Sequence, residues 1–244
     1  MIIRIARNLA LLLLVGLVAA GCTRASNYAD SSKFSSVYTA GYRLPGGKNP
    51  KDLRLPKTFP KGLRGTERKG RKTHFIEFRA RNALSYGHAS VAFGKLDSRG
   101  RIPRKRNGDL KPGVIEISGL HPASDSNAVY SAGHFVPVFA STGPSDGDDE
   151  AAYALATWRI KLTRAEFRRT VAIIKRRKET TTHWNGIASS CVTYLRMIAR
   201  DMGLRTPITR HLPESFVMKL ARINGGKGRL ARASKSRRTK KRRG

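Results

Sequence analysis

Apolar residues recur with a regular period only between residues 71 and 224, and this confinement sets what the chain can fold into. Residues 22–70 are rich in Ser, Gly, Pro and Lys, and their apolar side chains are scattered. Residues 225–244 are basic and contain no acid. Segments of this composition cannot bury enough apolar surface to fold. We therefore predict one α+β domain over residues 71–224, between a flexible linker and a disordered basic tail.

The chain carries a large excess of positive charge. It has 49 Lys and Arg against 16 Asp and Glu, a net charge of +33 over 244 residues. This excess predicts an anionic partner or an anionic surface without identifying the anion. The length excludes a large multidomain enzyme. Two cysteines exclude a disulfide-stapled scaffold and an all-cysteine zinc site.

Residues 1–21 have the features of a signal peptide. Arg4 and Arg7 precede an uncharged apolar run over residues 9–20. At about 1.5 Å per residue, this run is too short for the roughly 30 Å of a membrane core. It ends in Ala-Ala-Gly-Cys, which resembles a bacterial lipobox, although alanine stands where leucine is commoner. We expect a lipid on Cys22 and a membrane-anchored place in the bacterial cell envelope; the alternative is an ordinary secretory signal.

Cys191 would then be a lone thiol in an oxidising compartment, because a lipidated Cys22 cannot form a disulfide. Nucleophilic catalysis is one reason to keep such a thiol, and inert burial is the other. Ser189 or Ser190 can cap a helix that has Cys191 in its first turn, where the helix dipole and unpaired amides favour a thiolate. The same amides could bind an oxyanion, so Cys191 is the candidate nucleophile.

Five segments rich in β-formers are predicted to be strands, and two segments are predicted to be helices. The strands cover residues 73–78, 88–93, 114–118, 135–140 and 154–162. The second and third strands should form a hairpin around a long basic loop. Thr163 and Glu166 have the spacing of a capping box, which predicts a helix ending near Lys178. The other helix follows Ser190, places Ile187, Cys191, Leu195, Ile198 and Met202 on one stripe, and stops at Gly203.

A nucleophilic thiol needs a base, and His88 is the best placed of six histidines because it opens a predicted strand, where a side chain can face a cleft. Spacing alone does not exclude the other five. These are His74, His121, His134, His183 and His211.

The order of these motifs resembles the circularly permuted NlpC-like branch of the papain-like cysteine peptidases and acyltransferases. The resemblance rests on YGHA at residues 86–89, GLHP at residues 119–122 and SCVTY at residues 190–194. It implies a papain-like fold, in which an antiparallel sheet packs against the cysteine-bearing helix. It further implies Cys191 as nucleophile and His88 as general base. Family members commonly have Asn or Asp before the cysteine, where this chain has Ser190.

A third, imidazole-orienting residue is not fixed by the resemblance. If Phe93 pairs near Val114, His88 lies opposite the neighbourhood of Gly119, and His121 is within about one residue pair. His121 is therefore the candidate. Glu116, His134 and the absence of a third member remain alternatives.

No cofactor or metal is predicted. The acidic loop at residues 146–150 lacks the ligand spacing of a calcium loop, so we interpret it as a solvated loop or a local counter-charge. The glycines at residues 46–47 precede no helix and carry no phosphate-loop pattern.

Two functions follow from these observations. The first is an envelope-anchored cysteine hydrolase that cleaves an amide bond, most plausibly in a cell-wall peptide, with peptidoglycan or an anionic envelope surface as its partner. The alternative is a non-catalytic basic lipoprotein that binds anionic envelope polymers. Nucleic acid is disfavoured as a partner by the export signal and by a basic tail without interleaved aromatic residues.

Overall fold

The computed structural model describes residues 33–34, 37–39, 71–83, 86–207 and 212–230, which form a mixed α+β fold with two antiparallel sheets and four helices. The strands are β1 (His74–Arg81), β2 (His88–Lys95), β3 (Ile115–Gly119), β4 (His121–Pro122), β5 (Val138–Ser141), β6 (Ala154–Leu162), β7 (His183–Trp184) and β8 (Arg229–Leu230). The helices are α1 (Asn127–Ala132), α2 (Arg164–Thr180), α3 (Cys191–Asp201) and α4 (Pro213–Ile223).

The larger sheet has the strand order β3-β2-β1-β6-β8, and the smaller sheet has the order β4-β5-β7. β1 lies at the centre of the larger sheet and pairs with β2 and β6 along its whole length. Successive side chains of a strand point to opposite faces, so Ile76 and Phe78 face one side of the sheet while Glu77, Arg79 and Arg81 face the other. The predicted α+β class and the antiparallel sheet are confirmed.

Helices α2, α3 and α4 pack on one face of the larger sheet. Ile76 and Phe78 of β1 belong to one buried cluster with Val171 of α2, Ile198 of α3 and Phe216 of α4. Burying an apolar side chain of this size contributes about 1.5–3 kcal/mol, so this cluster holds the helices on the sheet. It also fixes the position of the N-terminus of α3.

The capping box that the sequence predicts for α2 is confirmed. The Thr163 side chain accepts a hydrogen bond from the Glu166 amide, and the Glu166 carboxylate accepts one from the Thr163 amide at 2.8 Å. The helix extends to Thr180, two residues past the expected end. The predicted apolar stripe of α3 is wrong at Ile187, which precedes the helix in a turn and is exposed.

The opposite face of the sheet carries a second buried cluster, in which Phe75 and Ile115 pack with Phe34.

The amides of Tyr38 and Thr39 donate to the buried Glu116 carboxylate at 2.7 and 3.0 Å. The predicted flexible linker is therefore wrong at residues 33–34 and 37–39. These residues supply apolar surface and hydrogen-bond donors that the domain would otherwise lack. The rest of the linker lies outside the described residues.

The predicted start of the disordered tail, at residue 225, is too early in the chain. Arg229 pairs with Thr157, and β8 thereby adds a strand beside β6. Gly226 lies so close to the Trp158 ring that a Cβ at this position would overlap Nε1. Residues 225–230 are ordered because they satisfy backbone groups at the edge of the sheet and cover Trp158. Residues 231–244 lie outside the described residues.

The predicted signal peptide and the candidate lipidation site Cys22 also lie outside the described residues. Within the described part of the chain, no helix is long and apolar enough to cross a membrane.

Candidate active site

Cys191 is the first residue of α3 and has a free thiol; the residue as a whole is partly exposed. Ser190 caps the helix, since its hydroxyl accepts a hydrogen bond from the Thr193 amide. The amides of Ala89, Val192 and Cys191 itself act on the sulfur. The start of β2 and the start of α3 therefore meet at the thiol.

His88 is the first residue of β2 and precedes the amide of Ala89 that faces the thiol. The imidazole is buried and lies over Gly119 of β3, where a Cβ would come within 2.7 Å of His88 Nε2. A glycine is required at position 119 for this close approach. His88 Nε2 lies 3.7 Å from Asp148 Oδ2 and has no hydrogen-bond partner among the described residues.

Asp148 is the buried counter-charge of this cluster. Arg81 Nε donates to its Oδ1 at 2.7 Å, and the Ser145 amide and hydroxyl donate to its Oδ2 at 2.9 and 3.2 Å. The interpretation of residues 146–150 as a solvated loop is thus wrong at Asp148, and the interpretation as a counter-charge is confirmed there. Burial raises the pKa of Asp148, but the charges of His88 and Arg81 and the hydrogen bonds outweigh it and lower this pKa.

His121 lies beside His88, with 6.2 Å between the ring centroids. The register differs by two residues from the expected one, because Phe93 pairs with Glu116. The pairing of β2 with β3 ends at Ser90–Gly119, and His121 pairs instead with Ser141 in the smaller sheet. His121 Nδ1 donates to the Pro122 carbonyl at 3.0 Å, since a carbonyl can only accept. Asp148 acts on the pKa of His121 as well as on that of His88.

The two alternative third residues have other partners. Glu116 Oε1 accepts hydrogen bonds from the Thr39 hydroxyl at 2.6 Å and from Lys178 Nζ at 3.0 Å. Its carboxylate therefore holds residues 38–39 on the domain. His134 Nδ1 donates to the Tyr130 carbonyl at 2.9 Å, and its Nε2 is hydrogen-bonded to the Tyr86 hydroxyl.

An aromatic cluster borders the thiol. It consists of Tyr86, Tyr130, His134 and Trp184. Burial raises the pKa of Tyr130. The hydrogen bond between Tyr130 and Tyr86 and the nearby charge of Cys191 raise this pKa further. Tyr86 is exposed, so this aromatic cluster reaches the surface of the domain.

The remaining histidines lie elsewhere. His74 starts β1 at the far end from His88 and stacks on Phe167, and His183 is exposed on β7 and stacks on Phe139. His211 lies outside the described residues. The structure thus brings Cys191, His88 and His121 to one region and leaves His74 and His183 out of it.

The thiolate predicted at the start of α3 is not favoured in this conformation. Burial raises the pKa of Cys191 to about 11, and the amides of Ala89 and Val192 only partly oppose it. Burial also lowers the pKa of His88 to about 4, despite the opposing effect of Asp148. At neutral pH the resting pair is therefore a thiol and an unprotonated imidazole, which can accept a proton.

In the described part of the chain, no three His, Cys, Asp or Glu side chains are arranged to hold a metal ion.

Asp148 is the residue of the cluster that the sequence analysis missed. Two signals could have found it. Glu77, Arg79 and Arg81 alternate with apolar residues in a strand whose two neighbours are also predicted strands, and charges in such a place need a partner. Ser145 also precedes Asp148 at a spacing that suits a side-chain-stabilised turn.

Comparison of the chain with protein-family models, curated proteins and solved structures finds no match.

Proposed function

We propose that the protein is a cysteine hydrolase of papain-like fold that cleaves an amide bond, with Cys191 as nucleophile and His88 as general base. The observation that carries this proposal is that one buried carboxylate, Asp148, acts on the pKa values of Cys191, His88 and His121. A thiol at a helix start, an imidazole and a polar third group in one cluster are the components of Cys–His catalysis.

The proposed reaction has two steps. In the first, Cys191 Sγ attacks the amide carbonyl carbon while its proton passes to His88, and the imidazolium then protonates the leaving amine. In the second, His88 takes a proton from water as the hydroxide attacks the thioester, and the thiol leaves with that proton. Asp148 favours the imidazolium that forms in each step. The amides of Ala89 and Val192 beside the sulfur are suited to hold the oxyanion.

The proposed substrate is a peptide of the cell wall. This follows from the predicted export to the bacterial envelope and from the net charge of +33, which favours retention on an anionic wall polymer. Cys191 is partly exposed as a residue and Tyr86 is exposed, so an extended chain could approach this region from solvent.

The test is digestion of purified peptidoglycan, with released peptides identified by mass spectrometry. Wild-type protein should release them, Cys191→Ala should not, and His88→Ala should slow release by about a hundredfold or more. His183→Ala, which changes an exposed histidine on β7, is the matched control and should keep the activity. Release by folded Cys191→Ala at the wild-type rate, or none by folded wild type, would overturn the proposal.

Non-catalytic binding is the second candidate, and one observation favours it: burial raises the pKa of the Cys191 thiol. A protein of this kind would bind peptidoglycan in a sedimentation assay without releasing any peptide, and Cys191→Ala would bind as the wild type does.

We also propose a lipid anchor on Cys22 and, through it, attachment to the envelope membrane. A lipid chain together with a polybasic chain supplies the two signals that stable attachment requires. Cells grown with labelled palmitate should label the wild-type protein but not Cys22→Ala. Equal labelling of both would exclude this site.

A further inference from the structure

A second polar site lies on the face of the larger sheet opposite the helices. It is a pocket of about 200 Å³ between β6, β8 and the β2–β3 loop. Three arginines and several small or apolar side chains line it. The lining residues are Arg79, Arg104, Ala151, Ala154, Ala156, Thr157, Arg229 and Leu230.

Two arginines of the pocket, Arg79 and Arg104, share one buried carboxylate with Arg159, which contacts that carboxylate but does not line the pocket. Arg79 Nη1 donates to Glu77 Oε1 at 2.7 Å, and Arg104 Nη2 reaches the same oxygen at 3.4 Å. Arg159 Nη2 lies 3.3 Å from Oε2. Glu77 and Arg79 are 2% and 3% exposed, whereas the side chains of Arg104 and Arg159 are each 31% exposed. A buried ion pair is therefore flanked by two arginines that reach solvent.

The cluster has more positive than negative charge. Three arginines contact Glu77, and this leaves two positive charges in excess. Arg229, which lines the pocket, adds one positive charge, and Asp109, which acts on Arg104, adds one negative charge. Counting both therefore leaves the excess at two positive charges. Burial and the nearby charges of Arg79 and Arg159 lower the pKa of Arg104, which shows that the like charges repel each other. An anion in the pocket would relieve this repulsion.

We propose that this pocket binds a phosphate monoester. A dianionic phosphate matches the two excess charges, and the planar guanidinium groups can each donate two hydrogen bonds to phosphate oxygens. The alanine side chains and Leu230 leave an uncharged wall for the esterified group. This site shares no side chain with the proposed catalytic residues, so it can exist whether or not the protein is a hydrolase.

The experiment measures thermal unfolding of the full-length protein with glycerol 3-phosphate, against sodium chloride at equal ionic strength and against glycerol. An anion that binds an unfolded charged segment binds the folded and the unfolded protein equally well, so it does not change the Tm. A higher Tm therefore reports a site that exists only in the folded state. We expect the phosphate ester to raise the Tm above both references.

Variants then locate the site. Arg104→Gln and Arg159→Gln should weaken binding by about tenfold or more, because each removes a charged donor. Arg106→Gln changes an exposed arginine of the same loop and should bind as the wild type does. Glu77→Gln should bind more tightly, since it removes the carboxylate that competes for the arginines. A variant that is merely damaged would not gain affinity, so this change of sign separates binding from misfolding.

Two sources of the ester are distinguished by vesicles that contain phosphatidic acid. Loss of vesicle binding by Arg159→Gln, but not by Arg106→Gln, assigns the site to a lipid headgroup, and unchanged vesicle binding assigns it to a soluble ester. The proposal is overturned if the phosphate ester gives no increase in Tm over chloride, or if Arg104→Gln and Arg159→Gln retain the wild-type increase.

Discussion

At the scale of single residues, Asp148 determines how the polar cluster is held. It pairs with Arg81 at the end of β1 and lies beside the imidazole of His88, and both of its oxygens are engaged. The cluster therefore depends on a charge that is supplied by a loop and not by the sheet. This arrangement leads to two tests.

Asp148→Asn should lower the free energy of unfolding by about 3 kcal/mol, because it leaves the largely buried Arg81 without its anionic partner. Urea denaturation measures the change. Asp146→Asn, an exposed position of the same loop, should change stability by less than about 0.5 kcal/mol. Equal effects of the two variants would contradict the assigned role of Asp148.

Gly119→Ala should displace the His88 ring, because a Cβ at this position would come within 2.7 Å of Nε2. We expect a loss of stability of about 1–3 kcal/mol from overpacking. The same substitution in a His88→Ala background should cost much less, since the ring it would meet is gone. Additive losses in this double-mutant cycle would show that the two positions do not touch.

The sequence indicated Cys191 and His88 from their places at element ends and His121 from the expected strand register, and the structure brings the three residues to one region. The sequence could not indicate whether burial or the nearby charges and amides would dominate the pKa values of these residues. A helix start predicts a lowered thiol pKa, but the effect of burial depends on what the rest of the chain places around the sulfur. The sequence analysis missed Asp148 for the same reason. Its burial depends on the ion pair with Arg81, which is 67 positions away in the chain.

At the scale of elements, long periodic segments were predictable and short ones were not. The strands around residues 74–81, 88–95 and 154–162 and the capped helix α2 carry enough alternation or helical spacing to be recognised. The two-residue strands β4, β7 and β8 carry no period, because their pairing is decided by the neighbouring strand. The strand expected at residues 135–140 is shifted to Val138–Ser141, and the preceding helix α1 was missed because it buries no residue.

Truncation separates β8 from the basic tail beyond it. A chain that ends at Asn224 loses β8 and the residues that cover Trp158, so its Tm should fall by several degrees. A chain that ends at Leu230 should keep the wild-type Tm, because it retains these contacts, and should bind anionic vesicles less tightly at low salt. Equal Tm values for the two truncated chains would show that β8 contributes nothing to stability.

At the scale of the whole molecule, the domain combines an excess of basic residues with buried histidines that are held uncharged. Burial lowers the pKa of His88 to about 4 from its ordinary value of 6.5, and it lowers the pKa of His121 as well. Each of these groups binds a proton more readily in the unfolded chain. Folding stability and pH are therefore coupled.

The free energy of unfolding should consequently fall as the pH falls from about 6.5 to about 4, and this coupling should add no pH dependence above that window. Below it, Asp148 adds a further loss, because its pKa is lowered in the folded state. Urea denaturation across this range measures the slope. His88→Gln should flatten it, whereas His183→Gln, at an exposed position, should not. Parallel slopes for wild type and His88→Gln would contradict the buried neutral state.

The charged row of β1 also bears on the fidelity of folding. Glu77 lies opposite Arg159 only if β1 pairs in its observed register with β6. A slip of one residue would turn the three charged side chains of β1 into the apolar cluster under the helices and turn Ile76 and Phe78 out of it. The charged residues of β1 therefore favour the observed register over one that is shifted by a single residue.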